Sequence, residues 1–346
     1  MDAITIVNTI RSENGVSYQE RIPVLTKSNF EEVGNALVTY EPEFNAFCNA
    51  LVNKIAFTEV SNRRFRNPLS ALKSGTKPFG TDIEEIYINP VSSETFNGSA
   101  TDDMLNLKKP DVKTIYHRMN RQDKYPVSIT IPDVQKAFRN ESNLGSFIQG
   151  VINAMYSGDE MDEFLLMKNI VSEGISKSKV KKVDLTYDGS KTSSEELIKL
   201  IKTLSHNFTE PSTNYNGYNV LNKSGITAKT ITPSVTWAPK ENQIIIIRSD
   251  VDAATDVDVL AKAFNMEKTD LMKRKFVVSS FEDDKTLAFV ADEKFFKVTD
   301  DLYTVRSFDN GSNLARNYWL HHWQTISLSL FANAVAIQQA SEASGT

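Results

Sequence analysis

Residues 142–170 read SNLGSFIQGVINAMYSGDEMDEFLLMKNI and contain the strongest helical pattern in the chain. One helix from residue 142 to residue 173, capped by Ser142 or Asn143, would be about 45 Å long, which is more than the diameter of a small domain. The stretch therefore predicts a long amphipathic helix. Apolar residues recur in it at helical intervals of three and four: Leu144, Phe147, Ile148, Val151, Ile152 and Met155, then Met161, Leu165 and Ile170.

Two segments before this helix predict an extended β-hairpin. Residues 81–89 and 112–120 are rich in β-branched and aromatic side chains, and the stretch between them contains the turn-forming pairs Asn97-Gly98 and Asp102-Asp103. An isolated hairpin is only marginally stable in water, so we expect this one to lie on another surface.

Charge differs between the two sides of the predicted hairpin. The outgoing side is acidic, with Asp82, Glu84 and Glu85, and the returning side is basic, with Lys113, Arg118 and Arg121. Two interpretations remain open. The charges either form weak cross-strand pairs on a solvated hairpin, worth about 0.2–1 kcal/mol each, or they also contact an adjacent copy of the chain.

The rest of the chain mixes helices and strands, which indicates an α+β fold. A capping box at residues 28–31 opens a helix after a polar first 25 residues, and Ser193 or Ser194 opens another. Residues 209–242 predict a long loop, residues 318–337 one long strand, and residues 338–346 a solvated tail. Further strands are predicted at 180–185, 243–248, 275–278, 287–290 and 295–298, and a further helix at 256–264.

Composition excludes several classes of protein. The chain has 346 residues, 40% of them hydrophobic and 24% charged, which is typical of a folded protein. Its net charge of −5 disfavours tight nucleic-acid binding, and no apolar run is long enough to predict a membrane span. The single cysteine, Cys48, lies in an apolar run and is predicted to be a small buried hydrophobe.

Motifs for catalysis or cofactor binding fail on their spacing. GTKPFGT at 75–81 lacks the lysine that follows the second glycine of a phosphate loop. The acidic run from Asp250 to Asp258 has Thr255 in place of the glycine of a calcium loop and Ala261 in place of its last glutamate. None of the four histidines belongs to a zinc-binding pair on a helix. We therefore predict no catalytic residue, no metal and no cofactor.

Six stretches carry a resemblance to a known family. They are IEEIY at 83–87, NRQ at 120–122, INAMY at 152–156, DVDVLAKAFN at 256–265, WQT at 323–325 and FANAVA at 331–336. In these stretches the chain resembles the major capsid proteins of φ29-like short-tailed bacteriophages, which have the HK97-type fold. The block at 256–265 and the ending at 331–336 are the most specific.

The resemblance implies a domain division. It predicts an N-terminal arm at 1–62, an extended loop at 63–131, a peripheral domain with its spine helix at 132–185, an axial domain at 186–290, and returning peripheral strands with a tail at 291–346. Some relatives continue into an immunoglobulin-like domain, and no role of such a domain is carried over.

The resemblance also implies a function. Copies of the chain would form hexamers and pentamers of a closed head shell around double-stranded DNA, together with a scaffolding protein and a portal (connector) protein. The DNA contact would be non-specific, no membrane would be involved, and assembly would take place in the host bacterial cytoplasm. An encapsulin-like compartment around an enzyme cargo is the alternative.

Overall fold

The computed structural model describes residues 3–57, 65–78, 80–95, 107–139, 141–223, 232–254, 274–312 and 315–340. The chain divides into two compact units. Unit 1 contains Met1–Asn67, Arg121–Phe164 and Asp300–Gln324, and unit 2 contains Pro68–Asn120, Leu165–Thr299 and Thr325–Thr346.

Unit 1 is built on helices and one antiparallel sheet. Its first helices are α1 (Ala3–Glu13), α2 (Val16–Arg21), α3 (Phe30–Thr39) and α4 (Glu41–Phe57). Strand β3 (Arg121–Thr130), which follows β1 (Ile83–Ile88) and β2 (Val112–His117) in the chain, leads into α5 (Ile131–Ala137) and α6 (Glu141–Ile152). The core of unit 1 includes Ile6, Val33, Phe47, Phe138, Leu144 and Tyr318.

The predicted long helix is confirmed, with one irregular turn inside it. Helix α6 continues through a π-helical segment, Asn153–Ser157, into α7 (Gly158–Ser176). The predicted caps are wrong, because Ser142 and Asn143 lie inside α6.

Strand β3 pairs antiparallel with β9 (Ala315–Leu328), and β9 lies between β3 and β8 (Phe296–Asn310) in a three-stranded sheet.

Unit 2 holds a five-stranded mixed sheet and the hairpin. The sheet order is β4 (Lys181–Leu185), β10 (Ala334–Gln339), β7 (Thr286–Asp292), β5 (Gln243–Arg248) and β6 (Lys275–Val278). The strand predicted at 243–248 is confirmed as β5, and the burial of all four of its isoleucines shows that both of its faces are covered. Unit 2 also contains the second part of α7, from Leu165, and the helices α8 (Lys191–Thr209), α9 (Gly217–Lys223) and α10 (Ser249–Ala254).

Several local predictions need correction. The predicted capping box is absent: α3 begins at Phe30, and the side chain of Asn29 bonds back to Thr26 and Val24 instead of capping it. Helix α8 is capped by Ser190, three or four residues before the predicted cap at Ser193 or Ser194. The predicted long C-terminal strand is two strands, β9 and β10, and residues 338 and 339 belong to β10. Helices α1, α2, α5 and α10 lie outside the predicted elements, and α9 lies within residues 209–242, which were predicted to be a loop.

Some sequence-based predictions lie outside the described residues. They are the hairpin turn pairs at 97–98 and 102–103, the helix at 256–264, part of the loop at 209–242, and the tail from residue 341.

Candidate functional site

The hairpin of unit 2 has one exposed face and one covered face. Strand β1 pairs antiparallel with β2, with Glu84 opposite Tyr116, Ile86 opposite Thr114 and Ile88 opposite Val112. These six residues form what we call the outer face, since all of them are exposed. Four of them are large and apolar or aromatic, and each is between 49% and 59% exposed: Ile86, Ile88, Val112 and Tyr116.

The covered face, which we call the inner face, is attached to unit 2 near the base of the hairpin. The Glu85 carboxylate accepts hydrogen bonds from His117 Nε2 at 3.1 Å and from Ser329 Oγ at 2.7 Å. The Lys297 ammonium lies 3.0 Å from the same carboxylate. Burial raises the pKa of Glu85, but the bond from His117 and the charge of Lys297 outweigh it and lower the pKa below its usual value.

Further along the inner face, ring contacts and one asparagine continue the attachment. The Tyr87 ring stacks on Phe331 at a centroid distance of 5.0 Å, and the Lys113 ammonium lies 5.1 Å from the centre of the Tyr218 ring. The Asn89 amide donates to the Pro233 carbonyl at 2.9 Å and accepts from the Val235 backbone at 3.1 Å. The inner face is therefore attached at three levels along the hairpin.

The predicted charged residues of the hairpin fall into two groups. Asp82 and Arg118 form an ion pair of 3.2 Å at the surface, where their side chains are 47% and 79% exposed. Glu84 points outward and accepts a hydrogen bond from Tyr116 at 3.1 Å. By contrast, Glu85 and Lys113 lie on the inner face, and Lys113 pairs with Asp111 at 2.8 Å.

Arg121 lies apart from the hairpin, in unit 1. Its side chain is 3% exposed and pairs with Asp159, which is equally buried, at 2.9 Å. Its guanidinium also donates to Asp123, to the Tyr125 hydroxyl and to the Gln324 amide oxygen. Arg121 is therefore engaged inside the subunit, which does not fit the expectation that it contacts a neighbour.

His322 belongs to the same buried cluster. Its Nδ1 lies 2.6 Å from Asp159 Oδ1, and its Nε2 lies 3.1 Å from Asp300 Oδ1. Burial lowers the pKa of His322, but hydrogen bonds to the two carboxylates outweigh it and raise the pKa above its usual value. The sequence contained no signal for this cluster, because its members are far apart in the chain.

One group of side chains has the chemistry of metal ligands. Ligand-type atoms of Glu163, Asp300 and His322 lie within 4.8 Å of one another. Each already bonds within unit 1, because both His322 nitrogens face carboxylates and Gln324 donates to Glu163 and Asp300. These ligand-type atoms are already held by hydrogen bonds within the cluster, and we assign no ion to it.

Cys48 is buried, as the sequence predicted. Burial raises the pKa of its thiol to about 12, so the thiol is protonated at neutral pH.

No helix among the described residues is both long enough and apolar enough to span a membrane.

Comparison with protein families gives one match over nearly the whole chain. Residues 7–338 match the model of the Phi29-like phage major capsid protein. The chain is 32% identical over 339 residues to the major capsid protein of Bacillus phage PZA, covering 97% of this chain and 72% of the relative. It is 28% identical over 351 residues to that of Streptococcus phage Cp-1, covering 95% and 92%.

Solved capsid structures share the fold at low sequence identity. The capsid of Staphylococcus phage Andhra aligns with a TM-score of 0.66 and 15% identity, covering 81% of this chain and 86% of that one. The mature capsid of bacteriophage PhiM1 aligns with a TM-score of 0.52 and 10% identity, covering 82% and 90%. The α+β fold of this chain is therefore the HK97-like capsid fold.

Proposed function

Since this chain belongs to the Phi29-like phage major capsid protein family, and is therefore a subunit of a phage head shell, we propose that its copies meet through the outer face of the hairpin. The exposed apolar side chains of that face carry the proposal. A soluble subunit that exposes Ile86, Ile88, Val112 and Tyr116 on one face presents a surface suited to a protein partner.

The energy available at one such contact is modest. Full burial of one large apolar side chain stabilises by about 1.5–3 kcal/mol, and these side chains are half exposed, so each contributes roughly half of that. A shell repeats the contact at every subunit, so weak individual contacts suffice for a stable lattice.

Charges at the hairpin base support a contact between copies. An exposed pair such as Asp82 and Arg118 contributes about 0–1 kcal/mol, so exchanging the partner within the chain for one on a neighbour costs little. We propose Asp82, Glu84 and Arg118 as the charged intersubunit residues. Glu85, Lys113 and Arg121 are engaged within the subunit.

Membership of the family supports a domain division and a set of assembly partners for this chain. We propose the arm, extended loop, peripheral domain and axial domain at the boundaries given above. We also propose hexamers and pentamers, a scaffolding protein, a portal protein and non-specific contact with packaged DNA as partners, with assembly in the host bacterial cytoplasm. The net charge of −5 supports weak contact with DNA, because a surface that is acidic on balance does not attract phosphates.

Family membership favours a head protein over an encapsulin-like compartment. The relatives described above are structural capsid proteins, and we propose that this chain likewise has no enzymatic role. Nucleic acid inside purified native particles would support the head shell, whereas an enclosed enzyme would support the compartment.

Mixing two charge variants tests the proposed contact. R118E and D82K each place like charges at the base of the hairpin, so we expect each variant alone to give few particles. In a mixture of the two variants, the glutamate introduced in one copy can pair with the lysine introduced in another. The unchanged Asp82 and Arg118 of the same two copies can also pair, so the particle yield should recover. If Asp82 and Arg118 pair only within one chain, mixing restores no pair and the yield stays low. Particle yield on a density gradient is the measurement, and no recovery in the mixture contradicts the proposal.

A further inference from the structure

We propose that Glu85 is a positioning residue for assembly: it holds the hairpin in one pose on its own subunit, so that the outer face meets a neighbour correctly. The inference rests on the proposed role of the outer face. It concerns a side chain on the opposite face of the hairpin, which does not itself touch the neighbour.

The contacts of Glu85 join three separate parts of unit 2. One carboxylate oxygen of Glu85 accepts a hydrogen bond from Ser329 Oγ at 2.7 Å and forms an ion pair with Lys297 Nζ at 3.0 Å. The other oxygen accepts a hydrogen bond from His117 Nε2 at 3.1 Å. His117 Nδ1 lies 2.8 Å from Ser327 Oγ. The side chains of Glu85 and His117 are 14% and 1% exposed, so these bonds are sheltered from water.

The chemistry of Glu85 and its partners suits the attachment of the hairpin to the rest of its own subunit. Hydrogen bonds to an ionised carboxylate are roughly twice as strong as those between neutral groups. The lowered pKa of Glu85 keeps it ionised at neutral pH. Because a two-stranded hairpin is marginally stable alone, its pose depends on such attachments.

The geometry of strand β1 links the contacts of Glu85 on the inner face to the side chains of the outer face. Successive side chains of β1 point to opposite faces, so fixing Glu85 inward places Glu84 and Ile86 outward. A slip of the strand by one residue would exchange the two faces and turn the apolar residues inward. Together with the contacts of Tyr87 and Asn89, Glu85 thereby helps to fix which side chains a neighbouring copy meets.

The substitution E85Q tests this role, because it keeps the size of the side chain and removes the charge. E196Q is the control: it makes the same change at an exposed glutamate of helix α8, outside the hairpin. In the unassembled subunit, we expect E85Q to speed amide hydrogen exchange in residues 83–88 and 112–117 by about tenfold or more, which corresponds to roughly 1.4 kcal/mol. E196Q should leave this exchange unchanged.

Three readouts together decide the inference. Faster hairpin exchange, a lower particle yield and an unchanged melting temperature of the subunit support it. Unchanged hydrogen exchange of the hairpin in E85Q would show that Glu85 does not hold the hairpin on its own subunit. Faster exchange with a normal particle yield overturns the positioning role, whereas the mixing experiment tests the outer face separately.

Lys297 supplies a second variant in case E85Q lowers the melting temperature of the whole subunit. K297M leaves the carboxylate, His117 and Ser329 in place, and we expect a smaller effect of the same kind on hairpin exchange. In the E85Q background, K297M should add little, because the partner charge is already gone. Fully additive effects of the two substitutions on exchange would overturn the inference.

Discussion

Arg121→Ala should destabilise unit 1 far more than any surface charge change on the hairpin. The Arg121 and Asp159 side chains are each 3% exposed, so truncating the arginine leaves Asp159 buried beside fewer donors. Removing one partner of such a buried pair costs about 3–5 kcal/mol. Arg118→Ala is the control, because its exposed pair with Asp82 is worth about 0–1 kcal/mol.

Urea denaturation of the unassembled subunits measures the difference. We expect a lower midpoint for Arg121→Ala and a midpoint near that of the wild type for Arg118→Ala. At about 2–4 °C per kcal/mol, the melting temperature of Arg121→Ala should fall by roughly 6–20 °C. Equal free energies of unfolding for the two variants would refute the assignment of Arg121 to a buried network.

Unit 1 also gives a prediction about pH and one about packing. His322 has a raised pKa in the folded state, so its stabilisation is complete below its unfolded value of about 6.5 and is lost as pH rises through the folded pKa. The difference in melting temperature between wild type and His322→Asn should therefore shrink as pH rises above about 6.5, and a difference that stays constant over that range would contradict the prediction. Gly34→Ala should cost about 1–3 kcal/mol, because its new Cβ would collide with the Phe138 side chain. Gly145→Ala, where the new Cβ would meet no atom within 4 Å apart from its chain neighbours and its own helix backbone, should be neutral or stabilising. Equal losses of melting temperature in the two variants would contradict the packing argument.

Local patterns in the sequence predicted the elements that carry their own periodicity. The β-branched and aromatic side chains of residues 81–89 indicated the strand that became β1, and the run of isoleucines at 244–247 indicated the strand that became β5. Helix α1 also carries a signal in the sequence, because Ala3, Ile6, Val7 and Ile10 recur at helical spacing and all four are buried. Their β-branched neighbours and polar surroundings hid it.

Contacts between distant residues could not be predicted in this way. Arg121 follows other basic residues in the sequence, yet its partners Asp159 and Gln324 are 38 and 203 residues away. Glu85 bonds to Ser329 across 244 residues. Local pattern indicates that a charged side chain is present, but tertiary packing decides whether it faces a neighbour or fastens the subunit internally.

Electron microscopy of the assembled chain tests the central claim most directly. The full chain would be expressed with a scaffolding protein, and separately concentrated alone, with light scattering used to measure mass. As a shell subunit, it should form closed particles of megadalton mass, tiled by copies of this fold. Only monomers and dimers under both conditions would contradict its role as a capsid protein.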